Sequence, residues 1–333
     1  DGVAGLTLGH DTAEGEAFIA FQRYCLELKR RGVLLAVASK NDPDTAKLGF
    51  THPDSVLKPD DFAAFRANWE PKTENLAAIA RELNLGLDSL VFVDDNPFER
   101  ELVARTLPDV CVAKVSDVTH FAEVLDREGY FEPFSLTADD GARGEQYVAD
   151  RARAQAQSEF MSYAQYLEWL EMKAVIAPFE PAYLERIAQL VNKTNQFNLT
   201  ASRHTLAEVT AMASSPDHVT LYGRLADRFG DNGLVSVVMG RADGEALHID
   251  TWLMSCRVLK RDFEHAMFAA LCEQAAARGF KRLVGRYVPT AKNAMVASHY
   301  AGLGFTQAPD GTWAYELGQS PAPSPTFIER KAA

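Results

Sequence analysis

Two short runs of consecutive apolar residues constrain the fold of this 333-residue chain more than any other feature. Val33–Ala38 (VLLAVA) and Leu90–Val93 (LVFV) are too short for helices and have the unbroken apolar character of strands buried on both faces. Helical patterns precede and separate them, over Glu14–Arg31 and from Asn68 to Leu83. Strands that alternate with helices predict a parallel sheet in an α/β domain.

Polar residues follow both apolar runs, at the carboxyl ends of the predicted strands, where open α/β sheets bind ligands. Ser39, Lys40 and Asn41 follow the first run, and their hydroxyl, ammonium and amide groups suit a phosphate. The alternative for them is a helix N-cap with a solvated lysine. Asp94 and Asp95 follow the second run, and adjacent carboxylates at a strand end favour a cation such as Mg²⁺. Such pairs are also common on surfaces.

Composition excludes several classes of protein. The formal charge of -12 argues against nonspecific binding to nucleic acid or acidic membranes, because a negative body repels phosphate groups. The four cysteines are far apart and form no CxxC pair, so neither a disulfide framework nor a structural metal is predicted. No apolar run approaches the roughly 20 residues that cross a bilayer. We therefore expect a soluble protein of the cytoplasm.

The stretch HIDTWLMSCRVLKRDFEHAMFAAL, which begins at His248, predicts a strand, a turn and a helix in succession. Cys256 lies where the strand ends. The turn Arg257–Asp262 precedes backbone amides that open the helix and can hold phosphate oxygens. Cationic neighbours and helix amides favour a thiolate at Cys256, whereas the alternative is a small buried apolar residue.

A dense polar cluster follows a helix predicted over 182–191. Asn192, Asn195 and Gln196 present amides that can bind the carboxyl, hydroxyl and pantetheine amide groups of a ligand. The alternative is that these residues cap the helix and build a turn. His248 is a candidate base, and its alternative is a structural strand histidine.

The remaining patterns divide the chain into segments. Further strands are predicted over 173–178, 219–225, 234–239 and 282–288, and a further helix over 293–303. An Asp-Asn-Gly turn at 231–233 is expected to close a hairpin. The Pro- and Ser-rich end of the chain is expected to be extended or mobile. The predicted organisation is a domain over 1–140, a helical linker over 141–172, a second domain over 173–318 and a tail over 319–333.

The polar residues of the first half form an ordered set. Lys72 lies in the first turn of its helix, where the helix dipole disfavours a positive charge, which predicts a further role for it. Strand-Ser39, helix-start Lys72 and strand-Asp94-Asp95, in that order, resemble the second, third and fourth motifs of the haloacid dehalogenase superfamily of phosphoryl-transfer enzymes. The resemblance implies a haloacid dehalogenase-like Rossmannoid domain of three layers.

Longer runs resemble the FkbH family in particular. In the first half these are RYCLELKRRGVLLAVASKND and WEPKTENLAAIARELNLGLDSLVFVDDNPFERELV, and in the second half VNKTNQFNLT, RLADRFGDNGLVSVV and IDTWLMSCRVL. That family supplies glyceryl or related units to acyl carrier proteins in polyketide pathways.

The order of elements in the second half resembles the GNAT acyltransferase fold, so a GNAT-like α/β domain is expected. Members of that fold bind the pyrophosphate of coenzyme A at a turn written Q/RxxGxG/A. Arg257 matches the first position, whereas Lys260 and Asp262 replace both glycines. Glycine permits the closest backbone approach, and Asp262 adds negative charge beside a pyrophosphate. We therefore expect pantetheine on a carrier protein rather than acetyl-CoA.

The resemblance implies a chemistry for these residues. A phosphorylated three-carbon acid such as 1,3-bisphosphoglycerate would bind the first domain with Mg²⁺, and its acyl group would pass through an enzyme thioester to the phosphopantetheine of an acyl carrier protein. The thiol would be that of Cys256, with His248 as the candidate base. The implied ligands are Asp94 and Asp95 for Mg²⁺, Ser39, Lys40, Asn41 and Lys72 for phosphate, and Asn192, Asn195, Gln196 and Arg257 for the acyl or pantetheine portion.

The first motif of the superfamily, DxDxT, which supplies its aspartate nucleophile on a central strand, occurs nowhere in the chain. Two flanking strands without that neighbour would leave unpaired backbone groups in the core. We therefore expect further sequence upstream of Asp1. Two other functions stay open: a phosphatase of a phosphorylated acid, and a noncatalytic docking module for a carrier protein.

Overall fold

The computed structural model describes residues 8–9, 12–83, 85–132, 143–318 and 327–331. The chain divides into two compact units, Asp1–Val148 and Ala149–Ala333. Residues 1–7 of the predicted first domain, its predicted boundary at residue 140, and residues 319–326 and 332–333 of the predicted tail lie outside the described residues.

Helices and strands alternate in the first unit. The helices are α1 (Ala13–Arg30), α2 (Pro43–Thr51), α3 (Lys72–Glu82), α4 (Pro97–Thr106) and α5 (Phe121–Arg127). The strands are β1 (Leu35–Lys40), β2 (Phe62–Asn68), β3 (Val91–Phe92) and β4 (Cys111–Val112). Short polar residues open the helices: the Thr12 hydroxyl accepts from the Gly15 amide at α1, and Asn96 accepts from the Phe98 amide at α4.

The strands of the first unit form two parallel pairs. β1 pairs with β2 and β3 with β4, and within the described residues the two pairs belong to separate sheets. The prediction that the first strand is buried on both faces is wrong, because none of the six residues of β1 is buried. Among the described strands β1 has a neighbour on one edge only.

Helix α3 is fixed on the sheet by its apolar face. Ile79 and Leu83 pack with the fully buried Ala64 of β2. This packing places the first turn of α3, and therefore Lys72, at the end of the sheet where β1 and β2 finish.

The second unit is built on one mixed sheet. Its helices are α6 (Arg143–Gln157, which begins before the unit boundary), α7 (Tyr163–Trp169), α8 (Leu184–Lys193), α9 (Leu206–Ser214), α10 (Phe263–Ala277) and α11 (His299–Gly302). Its strands are β5 (Met172–Ala177), β6 (His218–Asp227), β7 (Gly230–Asp243), β8 (Ala246–Met254), β9 (Arg282–Gly285), β10 (Thr306–Gln307), β11 (Trp313–Glu316) and β12 (Ile328–Lys331). The sheet order is β10-β11-β9-β8-β7-β6-β5-β12. The predicted α/β fold class is confirmed.

Strand β8 separates from its neighbour β9 part-way along its length. The two strands pair in parallel only from Ala246 to Ile249 on β8, while β8 continues to Met254. The Tyr300 ring packs against Gly285, the last residue of β9, so closely that any side chain there would collide with it. The far end of β8 therefore needs another partner for its backbone.

Three local predictions in the second unit are corrected. The hairpin between β6 and β7 turns at 228–229, and Gly233 takes its positive φ of 71° within β7, next to irregular pairing with β6. The predicted helix over 293–303 is shorter: a single turn Ala294–Val296 closed by i to i+3 hydrogen bonds precedes α11. The predicted strand 282–288 stops at Gly285, where Tyr300 packs.

Within the predicted tail, the residues Ile328–Lys331 form a strand. β12 pairs in parallel with β5, and Ile328 is buried in the core of the second unit. Arg330 on β12 forms a two-pronged ion pair with Glu273 of α10. The second unit therefore extends past the predicted limit at residue 318.

Candidate functional site

The polar motifs of the first unit converge at the carboxyl ends of its strands. Lys40 is the last residue of β1, and Asp94 and Asp95 follow β3. Lys72 opens α3 at the same end of the sheet. Two ion pairs between these elements, described next, bring the predicted phosphate and metal residues together.

The first ion pair joins Lys72 to Asp94. Lys72 Nζ lies 2.5 Å from Asp94 Oδ2, and both side chains are largely buried, with 15% and 5% of their surface exposed. The other oxygen of Asp94 accepts from the Asn96 amide at 3.0 Å. Because a buried ammonium needs a partner, this contact explains a lysine at a helix start where the dipole disfavours it.

The second ion pair joins Lys40 to Glu99, which sequence reasoning missed. Lys40 Nζ lies 2.6 Å from Glu99 Oε1, and the Glu99 side chain is 7% exposed against 35% for Lys40. The second oxygen of Glu99 is buried and has no hydrogen-bond partner among the residues that the structure describes. The helix dipole favours a glutamate in the first turn of any helix, including α4. The position of Glu99 in the sequence therefore did not indicate its contact with Lys40.

The neighbours of these lysines have smaller roles. Asp42 caps α2, accepting from the Asp44 and Thr45 amides, and these hydrogen bonds lower its pKa, the largest contribution coming from the Thr45 amide. Asn41 accepts from the Asp42 amide at 2.8 Å, and Ser39 is half-buried one residue before Lys40. The N-cap alternative is therefore correct for Asp42, whereas Lys40 is in an ion pair.

Asp94 and Asp95 fit part of a magnesium site. Asp95 is exposed, and its main-chain carbonyl, like that of Asp94, accepts from the Arg100 guanidinium. Mg²⁺ takes one or two protein carboxylates together with water and phosphate oxygens, which suits this donor set. No larger group of His, Cys, Asp and Glu side chains that could hold a metal ion occurs in the described part of the chain.

In the second unit, Cys256 is exposed just beyond the end of β8 and begins a single helical turn. The Ser255 amide donates to the Val235 carbonyl of β7 at 2.7 Å, which anchors the chain immediately before the thiol. The Ser255 hydroxyl accepts from Arg257 Nε at 3.2 Å. Cys256 is therefore a solvent-accessible thiol on a fixed backbone, not the buried apolar residue of the alternative interpretation.

The far end of β8 is paired by the segment Phe197–Leu199. The Leu199 amide donates to the Trp252 carbonyl at 3.0 Å, and the Met254 amide donates to the Phe197 carbonyl at 3.0 Å. Asn198 bridges to Leu253 in the antiparallel sense. The residues just before Phe197, Gln196 and Asn195, therefore approach the Ser255–Cys256 end of β8.

The side-chain amides of the predicted polar cluster, Asn192, Asn195 and Gln196, differ in the hydrogen bonds that they make. Asn192 donates to the carbonyls of Ala188 and His204 at 2.8 and 2.7 Å, and Asn195 accepts from Arg203. These two residues therefore hold the loop together, as the turn-building alternative predicts. The Gln196 side chain is exposed and makes no hydrogen bond to a residue that the structure describes.

The turn before α10 combines a glycine-like backbone with acidic groups. Lys260 and Asp262 have φ angles of 63° and 64°, the left-handed region that glycine usually supplies. Asp262 Oδ1 lies 2.5 Å from His265 Nδ1, and burial raises the pKa of Glu264 in the first helical turn. Two carboxyl groups at this helix start weigh against the expected phosphate cradle.

Arg261 contributes no cation to that turn, because it is buried against an aspartate. Arg261 Nη1 lies 2.9 Å from Asp227 Oδ2, and Arg153 of α6 binds both oxygens of the same carboxylate, which is fully buried. Arg261 therefore stabilises the second unit through this buried ion pair.

His248 is too far from Cys256 to serve as its base. Both His248 and Met254 lie on β8, and six residues of strand span about 20 Å. His248 Nε2 instead lies 3.5 Å from Asp243 Oδ2 near the opposite end of the strand. The structural alternative is therefore favoured for this histidine.

Buried polar atoms lie beside the end of β8 that separates from β9. Trp252 Nε1 and His299 Nε2 are buried without a hydrogen-bond partner in the described part of the chain, and their rings meet edge to face with centroids 4.6 Å apart. The Phe197 ring also contacts His299. Burial and the nearby His265 lower the pKa of His299 to about 3, so it is uncharged at neutral pH.

Solved structures similar to this chain include a phosphatase domain and GNAT acetyltransferases. The N-terminal part of BF1531 from Bacteroides fragilis, which contains a phosphatase domain complexed with Mg, has 44% sequence identity and a TM-score of 0.39. The match covers 40% of this chain and 36% of that chain, so this chain spans little over a third of that solved protein.

The GNAT similarities are lower in sequence identity. The ribosomal-protein-S18-alanine N-acetyltransferase of Escherichia coli is 13% identical over 44% of this chain and 96% of that chain, with a TM-score of 0.34. The GNAT domain of S. lividans PAT is 17% identical over 43% of this chain and 89% of that chain, also with a TM-score of 0.34. No protein-family profile and no curated protein matches the chain. Within the described residues, no helix has the length and apolar character needed to span a membrane.

Proposed function

We propose that this protein transfers a glyceryl or related three-carbon acyl group from an acyl phosphate, such as 1,3-bisphosphoglycerate, to the phosphopantetheine thiol of an acyl carrier protein, as the FkbH family does in polyketide biosynthesis. The observation that carries the proposal is the exposed thiol of Cys256 at the end of β8, with the exposed amide of Gln196 approaching the same strand end.

The first unit would hold the phosphorylated acid. Lys40, Lys72 and Ser39 would bind phosphate oxygens, and Asn41 would support the loop that follows β1. Asp94 and Asp95 would hold Mg²⁺, which when bound neutralises phosphate charge. The magnesium complex of the BF1531 phosphatase domain and the two lysine–carboxylate ion pairs support this assignment.

The transfer itself needs two exchanges at the thiol. The Cys256 thiolate attacks the acyl carbon, the C–S bond forms, and the C–O bond to phosphate breaks as phosphate leaves with the electron pair. The pantetheine thiolate then attacks the thioester, and Cys256 leaves as a thiolate. Arg257 follows Cys256 in the chain, and a positive charge near a thiol favours the thiolate form that attacks and leaves.

The test is to incubate the protein with Mg²⁺, 1,3-bisphosphoglycerate generated in place and a holo acyl carrier protein. The proposal predicts that the carrier gains a glyceryl group, seen by intact-protein mass spectrometry, in step with the release of the acyl-linked phosphate. Phosphate release with an unmodified carrier would instead establish the phosphatase. Carrier binding with neither product would establish a docking module.

A further inference from the structure

Glu99 is a buried carboxylate in the first unit to which the proposed transfer gives no role. It lies in the first turn of α4, and 7% of its side-chain surface is exposed. One of its oxygens lies 2.6 Å from Lys40 Nζ, and the other is buried without a hydrogen-bond partner among the described residues. Because a buried carboxylate without a nearby cation is costly, the ammonium of Lys40 is the group that stabilises Glu99 inside the protein.

Lys40 contacts this carboxylate and is also accessible to solvent. It is the last residue of β1, and 35% of its side chain is exposed. A lysine ammonium has three N–H donors, and the contact with Glu99 uses one of them. A phosphate that binds to Lys40 at the end of β1 would therefore share one ammonium with Glu99.

The second lysine of the site is compensated in the same way. Lys72 Nζ lies 2.5 Å from Asp94 Oδ2, and both of these side chains are largely buried. Both lysines that would bind phosphate are thus already paired with a carboxylate. A carboxylate beside each lysine reduces the attraction of the site for an anion, which indicates a site of moderate rather than maximal phosphate affinity.

We propose that Glu99 sets the affinity of this site for phosphate. It neutralises part of the positive charge of Lys40, so that the phosphate released by the transfer binds weakly enough to leave. The inference rests on the proposed binding of phosphate by Lys40 and adds the residue that limits its strength. Two anions on one ammonium repel each other, and in a partly buried site this repulsion changes a binding constant by on the order of tenfold or more.

The experiment measures the binding of inorganic phosphate to the full chain with Mg²⁺ present, by isothermal titration calorimetry, for the wild-type protein and Glu99→Gln. Glutamine keeps the length of the side chain and an oxygen that can accept from Lys40, so the charge is removed while the lysine stays held. We expect the dissociation constant for phosphate to fall by about tenfold or more in the variant. In the transfer reaction, added phosphate should inhibit the variant at a correspondingly lower concentration.

The matched control is Glu101→Gln on the same helix. Glu101 forms an ion pair with Arg105 in which both side chains are largely exposed. Its substitution should leave the dissociation constant for phosphate within about twofold, because water and salt screen exposed charges. An unchanged constant in Glu99→Gln would exclude Glu99 from setting the affinity, and a higher constant would show that Glu99 only holds Lys40 in place. Either result overturns the inference.

A double variant tests whether Glu99 acts through Lys40. Lys40→Gln combined with Glu99→Gln removes both charges of the pair, so no buried charge is left uncompensated. It should bind phosphate at least about tenfold more weakly than Glu99→Gln, because the cation that attracts the phosphate is gone. Equal affinities of these two variants would show that Lys40 does not contact phosphate. That result, or a failure of both the wild-type protein and Glu99→Gln to bind phosphate, would contradict the inference.

The inference and the proposed function fail separately, because phosphate binding is measured without a carrier protein and does not depend on Cys256. If Glu99→Gln binds phosphate more tightly and the wild-type protein transfers no acyl group, the proposed transfer fails and the role of Glu99 stands. If the wild-type protein transfers the acyl group and Glu99→Gln binds phosphate with unchanged affinity, the proposed function stands and the role of Glu99 is excluded.

Discussion

Burial distinguishes the four cysteines from one another at the scale of single residues. Burial raises the pKa of Cys25 and of Cys272 to about 12, so both remain protonated at neutral pH and are poor nucleophiles. Cys111 and Cys256 are exposed. Cys256 alone of these two has an adjacent arginine and the approach of Gln196, which is why we assign the acyl group to it.

His299 gives a prediction for acid stability. Its pKa is about 3 in the folded protein, against 6.5 for an unperturbed histidine, because it is buried beside His265. Between these values the unfolded chain binds a proton that the folded protein does not. The contribution of His299 to stability is therefore present above pH 6.5 and is lost as the pH falls toward 3.

The measurement is the free energy of unfolding by urea between neutral pH and mild acid, for the wild-type protein and His299→Gln. We expect the curve of the variant to be flatter below the unperturbed histidine pKa, because its side chain does not titrate. Parallel curves for the two proteins would show that the pKa of His299 is the same in the folded and unfolded states, which contradicts the prediction.

Sequence predicted the individual residues of the site better than their partners. Lys72 could be identified from the sequence as a candidate site residue, because the helix dipole disfavours a positive charge at its position. Its contact with Asp94 accounts for that position. Glu99 could not be identified as a site residue from the sequence, since its partner Lys40 lies on a different element of the fold. His248 lies six residues before Met254 on β8, so the length of the strand separates it from Cys256.

Asp227 is the basis of a prediction at the scale of elements. Its buried carboxylate joins β6 to Arg153 of α6 and Arg261 before α10. Asp227→Asn keeps the shape and leaves two arginines with less compensating charge, so we expect a loss of about 3–5 kcal/mol in the free energy of unfolding of the second unit.

Chemical unfolding followed by tryptophan fluorescence measures this loss. The control is Glu245→Gln, which removes an ion pair with Lys281 in which both side chains are about two-thirds exposed. Exposed pairs contribute about 0–1 kcal/mol. A loss for Asp227→Asn no larger than that of the control would contradict the structural role of the buried carboxylate.

Strand β12 gives the second prediction at this scale. Ile328 is buried in the core of the second unit, so Ile328→Ala should cost about 2–5 kcal/mol in the free energy of unfolding. Glu329→Ala, the next residue, is exposed and should change stability by less than about 0.5 kcal/mol. Similar small effects for both would mean that β12 does not remain paired with β5 in solution.

Regular elements were predictable where the local pattern was strong. Apolar periodicity located α1, α3, α8 and α10, and alternation located β5 to β8. The strand Ile328–Lys331 was not predicted, because the Pro- and Ser-rich sequence near it is typical of an extended or mobile segment. The strand forms through pairing with β5. Pairing partners of this kind are not visible in local sequence.

At the scale of the whole molecule, the alternation of strands and helices predicted an α/β chain, and the structure has that class. The pairing of Phe197–Leu199 with the far end of β8 was not predictable, because it joins residues more than fifty positions apart across a loop. That pairing is what brings the polar cluster of Gln196 toward Cys256, two motifs that sequence identified independently.

The most direct test of this account is peptide mapping of the protein after brief reaction with Mg²⁺ and 1,3-bisphosphoglycerate generated in place, before any carrier protein is added. The account predicts a glyceryl thioester on the peptide that contains Cys256, absent from Cys256→Ala. The exposed Cys111 serves as the internal control and should remain unmodified. An adduct on Cys111, or one that persists in Cys256→Ala, would contradict the assignment of Cys256 as the acyl-bearing thiol.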